Sequence, residues 1–340
     1  MDTPATQPVP PPPRTRLFIF HGTRGDPTPG ASETLLTALP GLFTQPANVE
    51  IHHIPGVGTR SGPITNLISS GLGSREVRQN IIDSYSHLAA NHKHDDEIVI
   101  IGYSRGSYTA RSFVGFLDRV GLPAQSNRSN LRELYEKYVS GKFLQGREAL
   151  HLRAKHKCRD IRIKAMICID TVGSLGFPRT GAFGLFNFLR SSVNRHKFME
   201  PHAASNVDVM LHALALHETR GPFKPTLMYI KNDATQVLKQ VWFPGSHGDI
   251  AREIEAGCIA DAVLAWLVAN IEQYTSITFD EDELAIRFPR MATQHHIATL
   301  PHGDDKDDWV NDPMYISYRG IWRLMGRGKR VPGSWQLDGM

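Results

Sequence analysis

The stretch from Glu97 to Arg111, Glu-Ile-Val-Ile-Ile-Gly-Tyr-Ser-Arg-Gly-Ser-Tyr-Thr-Ala-Arg, constrains the fold more than any other part of the chain. Ile98 to Ile101 is an unbroken aliphatic run opened by the acidic loop Asp95-Asp96-Glu97, which predicts a strand buried on both faces of a parallel sheet. Gly102-Tyr103-Ser104-Arg105-Gly106 follows at once and matches G-x-S-x-G. Tyr108, Ala110, Phe113, Val114 and Leu117 then recur at helical spacing up to Val120, and Gly121-Leu122-Pro123 ends the helix. With 29 glycines in the chain the pattern alone could arise by chance, and a strand-Gly-helix junction is ordinary. The flanking strand and helix are what turn it into a nucleophile elbow. Such a turn holds the serine in strained backbone, and a side chain two residues to either side would strike the strand or the helix. Ser104 Oγ is then left above the sheet, beside helix N–H groups that have no partner of their own.

Composition narrows the classes. The chain has 340 residues, large for one domain but ordinary for an undivided α/β fold. Its 38 basic and 34 acidic residues leave a net charge of only +4 with no long basic run, so nucleic acid is not implied. Cys158, Cys168 and Cys258 are odd in number and far apart, which suggests no disulfide framework and favours a reducing compartment. No stretch approaches the roughly 20 apolar residues of a membrane span, and no N-terminal apolar leader is visible. A cytoplasmic protein is expected, with no metal or cofactor.

Residues 1–15 form a proline-rich tail that reads as disordered, with a ligand role for it left open. A single α/β domain is expected over residues 16–280: a mostly parallel sheet flanked by helices, with a cap at about 176–225. Residues 281–340 read as an irregular extension, and the acidic cluster Asp304-Asp305-Lys306-Asp307-Asp308 within it as a solvated loop. Leu17 to Phe20 predicts the first strand, running into His21-Gly22-Thr23-Arg24-Gly25, a loop whose amides a substrate oxygen can approach. Asn48 to Pro55 predicts a second strand. Val77, Ile81, Ile82, Tyr85 and Leu88 mark an amphipathic helix. Ser129 to Ala154 reads as helical, Lys164 to Ile169 as a buried strand, and Asn206 to Leu216 as a helix carrying His212. Thr226 to Ile230 and Gln240 to Phe243 read as strands, and Ile259 to Ile271 as an apolar helix. Phe183, Phe186 and Leu189 lie in an apolar stretch that reads equally as a cap lining a substrate cleft or as core.

A serine hydroxyl attacks only when a base takes its proton, and the base needs an acid to fix its tautomer. In strand-elbow-helix enzymes the chain order is Ser, then Asp or Glu, then His. Here Ser104 is followed by Asp170 and His247, each just past the C-terminal end of a predicted strand, where they can converge on one crevice. Asp249 is the alternative acid. With 16 histidines, His247 owes its weight to its Pro/Gly-bounded loop, while His52-His53 and His295-His296 argue little for a metal. The oxyanion needs waiting N–H donors; Arg105 supplies one from its backbone, and Gly22 or Thr23 is the natural second. His21 and Tyr103 are candidate substrate contacts.

Phe20-His21-Gly22-Thr23, the elbow through Arg111, Ile169-Asp170-Thr171-Val172-Gly173, His212 to Glu218, and Val241 to His247 resemble successive signatures of the DUF2235 family. That family includes the catalytic domain of the type VI secretion phospholipase effectors called Tle1. The resemblance runs from about Leu17 to Ile271. It implies an α/β-hydrolase fold and carboxylic ester hydrolysis, with phospholipids as substrates of the bacterial effectors, and its motif positions fall on Ser104, Asp170 and His247. His21 stands where the family usually has Asp. The expected reading is therefore a serine esterase acting on a lipid or phospholipid-like acyl ester, with peripheral membrane contact left open. A small-metabolite esterase, thioesterase, lactonase or acyltransferase is the alternative, and a catalytically silent binding scaffold is the third.

Overall fold

The structure, a computed structural model, describes residues 14–23, 25, 34–44, 48–57, 73–124, 127–140, 146–172, 204–230, 235–251, 259–287, 329–330 and 332. Six parallel strands make one sheet in the order β2-β1-β3-β4-β5-β6. They are β1 (Thr15–Phe20), β2 (Val49–Ile54), β3 (Glu97–Tyr103), β4 (Ile163–Ile169), β5 (Val207–Ala215) and β6 (Val237–Phe243). The helices are α1 (Leu35–Ala38), α2 (Gly73–Asn91), α3 (Arg105–Val120), α4 (Arg128–Val139), α5 (Gly146–Lys155), α6 (Ile259–Tyr274) and α7 (Glu281–Arg287). This is an α/β-hydrolase fold.

Strand alternation sorts the apolar side chains into two cores. Leu17, Ile19, Val99, Ile101, Ala165, Ile167, Leu211 and Ala213 meet α1 and α6 on one face. Phe18, Phe20, Ile98, Ile100, Met166, Cys168 and Met210 meet α2, α3, α4 and α5 on the other. Helix α6 serves its face through Ile259, Val263, Leu264, Leu267 and Ile271, a single stripe at helical spacing. Both faces of the central strands are covered, which is why β3 needs four consecutive aliphatic residues and no polar alternation.

Strand order also fixes where a site can form. From β1 the chain goes outward to β2, then returns past β1 to β3 and continues in the other direction. The order therefore reverses between β1 and β3, and at such a reversal the loops leaving the two strands diverge and open a crevice. Phe20 is in register with Gly102, and Tyr103 with Ile169, so the loops after β1, β3 and β4 start at one level. The first loop and the elbow are thus neighbours by topology.

Several expectations are corrected. Asn206 to Leu216 is not a helix: Val207–Ala215 is β5, bonded to β4 on one side and β6 on the other. A strand buried on both faces has no period of two, and Leu, Ala and His also suit a helix, so the pattern could not separate the two. His212 accordingly lies in a central strand, and the cap at 176–225 loses its later part to the sheet; residues 173–203, with Phe183, Phe186 and Leu189, lie outside the described residues, as do residues 1–13 of the proline-rich tail and the Asp304–Asp308 cluster, while Thr15, expected in the tail, is the first residue of β1. Thr226 to Ile230 is irregular rather than a strand, its carbonyls taken by side chains: Arg111 donates to Thr226 O and to Leu227 O, and Gln240 Nε2 to Met228 O. The helical stretch Ser129 to Ala154 is two helices, α4 and α5. The C-terminal extension begins with a helix, α7.

The elbow glycines can be tested through packing. A Cβ at Gly106 would lie 2.2 Å from Phe20 O and 2.4 Å from His21 O, both backbone atoms that cannot swing aside. At Gly41 the nearest atom would be an arginine tip 3.4 Å away. Gly106→Ala should destabilise the protein by about 1–3 kcal/mol or more, whereas Gly41→Ala should be nearly neutral; chemical denaturation of both variants measures this, and equal effects would contradict the close approach.

Candidate active site

Ser104 begins where β3 ends and α3 starts, with φ 57° and ψ −123°. A non-glycine residue in this region carries strain of about 1–3 kcal/mol and is held there only by its surroundings. Three contacts hold it. Ser104 N–H donates to Ile169 O at 2.9 Å, and Ser107 Oγ–H donates to Gly102 O and, at 3.2 Å, to Ile169 O. Gly102 leaves room for this, since a Cβ there would sit 2.7 Å from Ser107 Cα.

Asp170 follows β4, also at positive φ (42°), and is completely buried. Its N–H donates to Ala213 O at 2.7 Å, and its Oδ1 accepts from Ala215 N–H at 3.1 Å. His212 props the next residue: its Nε2 accepts Thr171 N–H at 3.1 Å, and its Nδ1–H faces Gln240 Oε1 at 3.2 Å. Burial, then the neighbouring Arg111, pushes the His212 pKa down to about 3, so the ring is neutral and its tautomer fixed by its two partners.

His247 rides on the loop after β6. Gly245, at φ 95°, donates its N–H to His217 Nδ1 at 2.9 Å, and Ser246 N–H donates to Asp249 Oδ2 at 2.8 Å. The buried carboxylate of Glu218, clamped by Arg220, accepts His247 N–H at 3.3 Å. From below, Tyr103 O–H donates to His247 O at 2.8 Å while its ring stacks on the imidazole at 4.9 Å. Phe223 meets the same imidazole edge-on at 5.0 Å.

The structure brings Ser104, His247 and Asp170 into one hydrogen-bonded chain. His247 Nε2 is 2.7 Å from Ser104 Oγ, and Nδ1 is 2.5 Å from Asp170 Oδ2. Asp249, the other candidate acid, is committed to the loop amide of Ser246. Arg105 opens α3, so its backbone amide lies in the first turn of the helix, directly after Ser104. Its side chain ties the first loop to the elbow, Nε–H donating to Thr23 Oγ1 at 2.7 Å and Nη2–H to Val57 O at 3.4 Å. Thr23 is thereby bonded to Arg105, and Gly22 packs on the Tyr103 ring, so the two adjoin the residues on either side of Ser104. His21 and Tyr103 are placed as supports: the His21 ring is buried, with Nε2 2.9 Å from His53 Nδ1, and burial raises the Tyr103 phenol far above its ordinary range. Among the described residues no group of three or more His, Cys, Asp or Glu could hold a metal ion.

The least expected member is Arg330. Its Nη1 donates to Asp170 Oδ1 at 2.6 Å and to Ala215 O at 2.6 Å; its Nη2 donates to Asp170 Oδ2 at 3.0 Å and to Phe223 O at 2.5 Å. Burial opposes ionisation of Asp170, but the Arg330 charge and the hydrogen bond with His247 outweigh it and hold the carboxyl well below the usual range. Nothing in Arg327-Gly328-Lys329-Arg330 separates this arginine from the other basic residues, so sequence reasoning missed it. Glu218 did carry a signal, since it follows His217 in a motif that stood out.

Residues 19–270 match the family described as the T6SS phospholipase effector Tle1-like catalytic domain. The chain belongs to that family. No protein with a curated description matches it. Among solved structures, an uncharacterised protein from Pseudomonas aeruginosa aligns at 13% identity and TM-score 0.44 over 85% of this chain and 51% of its own, so the chain spans about half that protein's length. Acyl-protein thioesterase 2 of Zea mays aligns at 9% identity and TM-score 0.32, over 78% of this chain and 97% of its own. A peroxisomal alpha-beta-hydrolase of Saccharomyces cerevisiae aligns at 15% identity and TM-score 0.37, over 86% and 88%. No helix among the described residues is long and apolar enough to cross a membrane.

The neutral His212 predicts a pH dependence. Its folded pKa of about 3 lies below the unfolded 6.5, so unfolding takes up a proton between these values. The stability it contributes is complete above pH 6.5 and is lost as pH falls toward 3, by up to about 1.4 kcal/mol per pH unit. His52 and His92, each pushed down to about 4, act in the same direction over the upper part of that window. Urea denaturation at pH 7, 6 and 5 should show falling stability, with a shallower slope for His212→Gln. An unchanged slope would mean that His212 is already protonated when folded.

Proposed function

We propose that this protein is a serine hydrolase that cleaves the carboxylic acyl ester of a lipid or phospholipid-like substrate through an acyl-enzyme. Membership of a phospholipase-type ester-hydrolase family supports the reaction class. The observation that carries the reading is the continuous chain from Ser104 Oγ through His247 to Asp170, at 2.7 and 2.5 Å, with the serine on a strained elbow.

In this reading Ser104 Oγ attacks the ester carbonyl carbon as His247 Nε2 takes the hydroxyl proton. Asp170 holds the ring by its Nδ1–H and stabilises the imidazolium. The carbonyl oxygen, now an oxyanion, lies against the amide of Arg105 and that of Gly22 or Thr23. The tetrahedral species collapses, and the alcohol leaves with the proton returned by His247. Water, deprotonated by the same histidine, then attacks the acyl-enzyme, frees the fatty acid and restores the serine. Every proton moves through one imidazole, so the mechanism asks for no metal or redox group.

A fluorophosphonate should label the wild type and leave Ser104→Ala unlabelled; labelling of the variant would remove Ser104 from the mechanism. On a p-nitrophenyl ester Asp170→Asn should lower kcat by roughly 10³–10⁴-fold, as loss of the orienting acid does in triads. Asp249→Asn should cost far less, because its carboxylate orders the loop. The reverse ranking would exchange the two acids.

Phe183, Phe186 and Leu189 are the proposed apolar lining for the acyl chain. Each apolar contact removed by changing them to serine takes away on the order of 1.5–3 kcal/mol of burial, open only to chains long enough to reach it. The triple variant should therefore lose activity on p-nitrophenyl palmitate and on phosphatidylcholine vesicles while keeping it on the acetate. Equal losses on all three would make the segment core and favour a small-metabolite ester as substrate.

A further inference from the structure

Arg330 lies 160 residues along the chain from Asp170 and beyond the family match of 19–270, yet it ends among the groups nearest the triad acid. Its two Nη atoms each divide their hydrogen bonds between a carboxylate oxygen of Asp170 and a backbone carbonyl. The planar fork of a guanidinium fits this pattern, and a lysine ammonium does not. One side chain thereby joins the turn after β4, the end of β5 at Ala215, and the short 3₁₀ turn Gly221–Phe223, whose phenyl ring meets His247 edge-on. Stability is a poor explanation for it. Buried ion pairs seldom repay their desolvation, and the buried Nε of Arg330 has no hydrogen-bond partner among the described residues.

We propose that Arg330 is a positioning residue of the active site, holding the Asp170 carboxylate and the Phe223 turn so that His247 presents Nε2 to Ser104. The proposal rests on the triad reading above. Asp170 receives only one backbone N–H, from Ala215, besides His247 and Arg330 among the contacts described. Without the guanidinium this completely buried carboxylate would hold an uncompensated charge, and the Asp170–His247 pair would keep a proton to higher pH. Charges facing the pair elsewhere do not replace it. Glu218 beside the His247 loop is spent on Arg220, Asp249 is held by the Ser246 amide, Tyr103 below the ring is a neutral phenol, His212 is neutral, and Arg111 is committed to Thr226 O and Leu227 O.

The test measures kcat and KM on p-nitrophenyl butyrate from pH 5 to 9 for the full chain and for Arg330→Gln, Arg330→Lys, Asp170→Asn and the double variant R330Q/D170N. Arg330→Gln should lose about 10²-fold in kcat at pH 7, less than the about 10⁴-fold of losing the acid itself, with KM nearly unchanged and the acidic limb of the profile moved to higher pH. The double variant should lose far less than the product of the two single losses, because Arg330 acts chiefly through that carboxylate and only in smaller part through the Phe223 turn. Arg330→Lys keeps the charge but not the fork; it should leave the acidic limb in place and lower kcat by roughly tenfold. Wild-type kcat and profile in Arg330→Gln would overturn the proposal, as would losses that add to those of Asp170→Asn. If Arg330→Gln does not fold, Arg330→Lys decides: wild-type kcat in that variant overturns it. Near wild-type kcat in Asp170→Asn alone would defeat the triad reading first, and the proposal with it, a result separate from anything the arginine variants show.

Discussion

The site depends on keeping one carboxylate ionised where no water reaches it. Asp170 has no exposed surface, and transfer of an unpaired carboxylate into such a place would simply protonate it. The surrounding structure supplies a backbone amide, an imidazole and a two-pronged guanidinium. Each donor comes from a different part of the chain: the end of β5, the loop after β6, and the segment beyond α7. The carboxylate therefore acts as the point on which separately folded pieces agree, and its geometry is fixed more tightly than any single hydrogen bond would fix it.

The strained serine makes a complementary demand. A backbone at φ 57° persists only while its neighbours forbid relaxation, and here those neighbours are the adjoining strand and its own helix. Ile169 O accepts the Ser104 amide, and Gly106 lets α3 approach the carbonyls that end β1. The switch in strand order then places the Gly22–Thr23 loop beside the elbow, and the Arg105 side chain ties the two together. Strand and helix ends carry Ser104 and its neighbours, so in the proposed reaction little order has to be found at the moment of attack.

Local patterns carried the elbow, Asp170 and His247 because each stands at a strand end with its own punctuation: Gly-x-Ser-x-Gly, Asp-Thr-Val-Gly and Pro-Gly-Ser-His. Chain order supplied their grouping, and it agrees with the distances. What failed was β5. Val207 to Ala215 is covered on both faces, so its residue choice reports burial and nothing about period, and the pattern around His212 reads as well as a helix. Arg330 was invisible for a different cause. Its meaning lies wholly in a contact 160 residues away, and no local spacing encodes such a partner. Thr226 to Ile230 shows the same limit, since side chains of Arg111 and Gln240 satisfy backbone groups that a strand would have paired.

The loop that holds His247 follows a related logic. Leu216 N–H donates to Phe243 O, His217 N–H to Gly245 O, and Gly245 N–H to His217 Nδ1, so the turns after β5 and β6 extend the parallel pairing past the sheet edge. Glu218 then takes the His247 amide from one side, and Tyr103 takes its carbonyl from the other. Tyr103 precedes Ser104 in the chain, so the residue next to the serine also sets the height of His247. A shift of β3 would carry serine and histidine together, which preserves their 2.7 Å separation better than independent supports would. Asp170 is joined to the same frame at β5 through Ala215 and at the Phe223 turn through Arg330. Two of the three members thus share the β3 support and two share the β5 edge, with His247 common to both pairs. In this arrangement the histidine, which lies in the loop after β6, is positioned by contacts to the ends of β3 and β5.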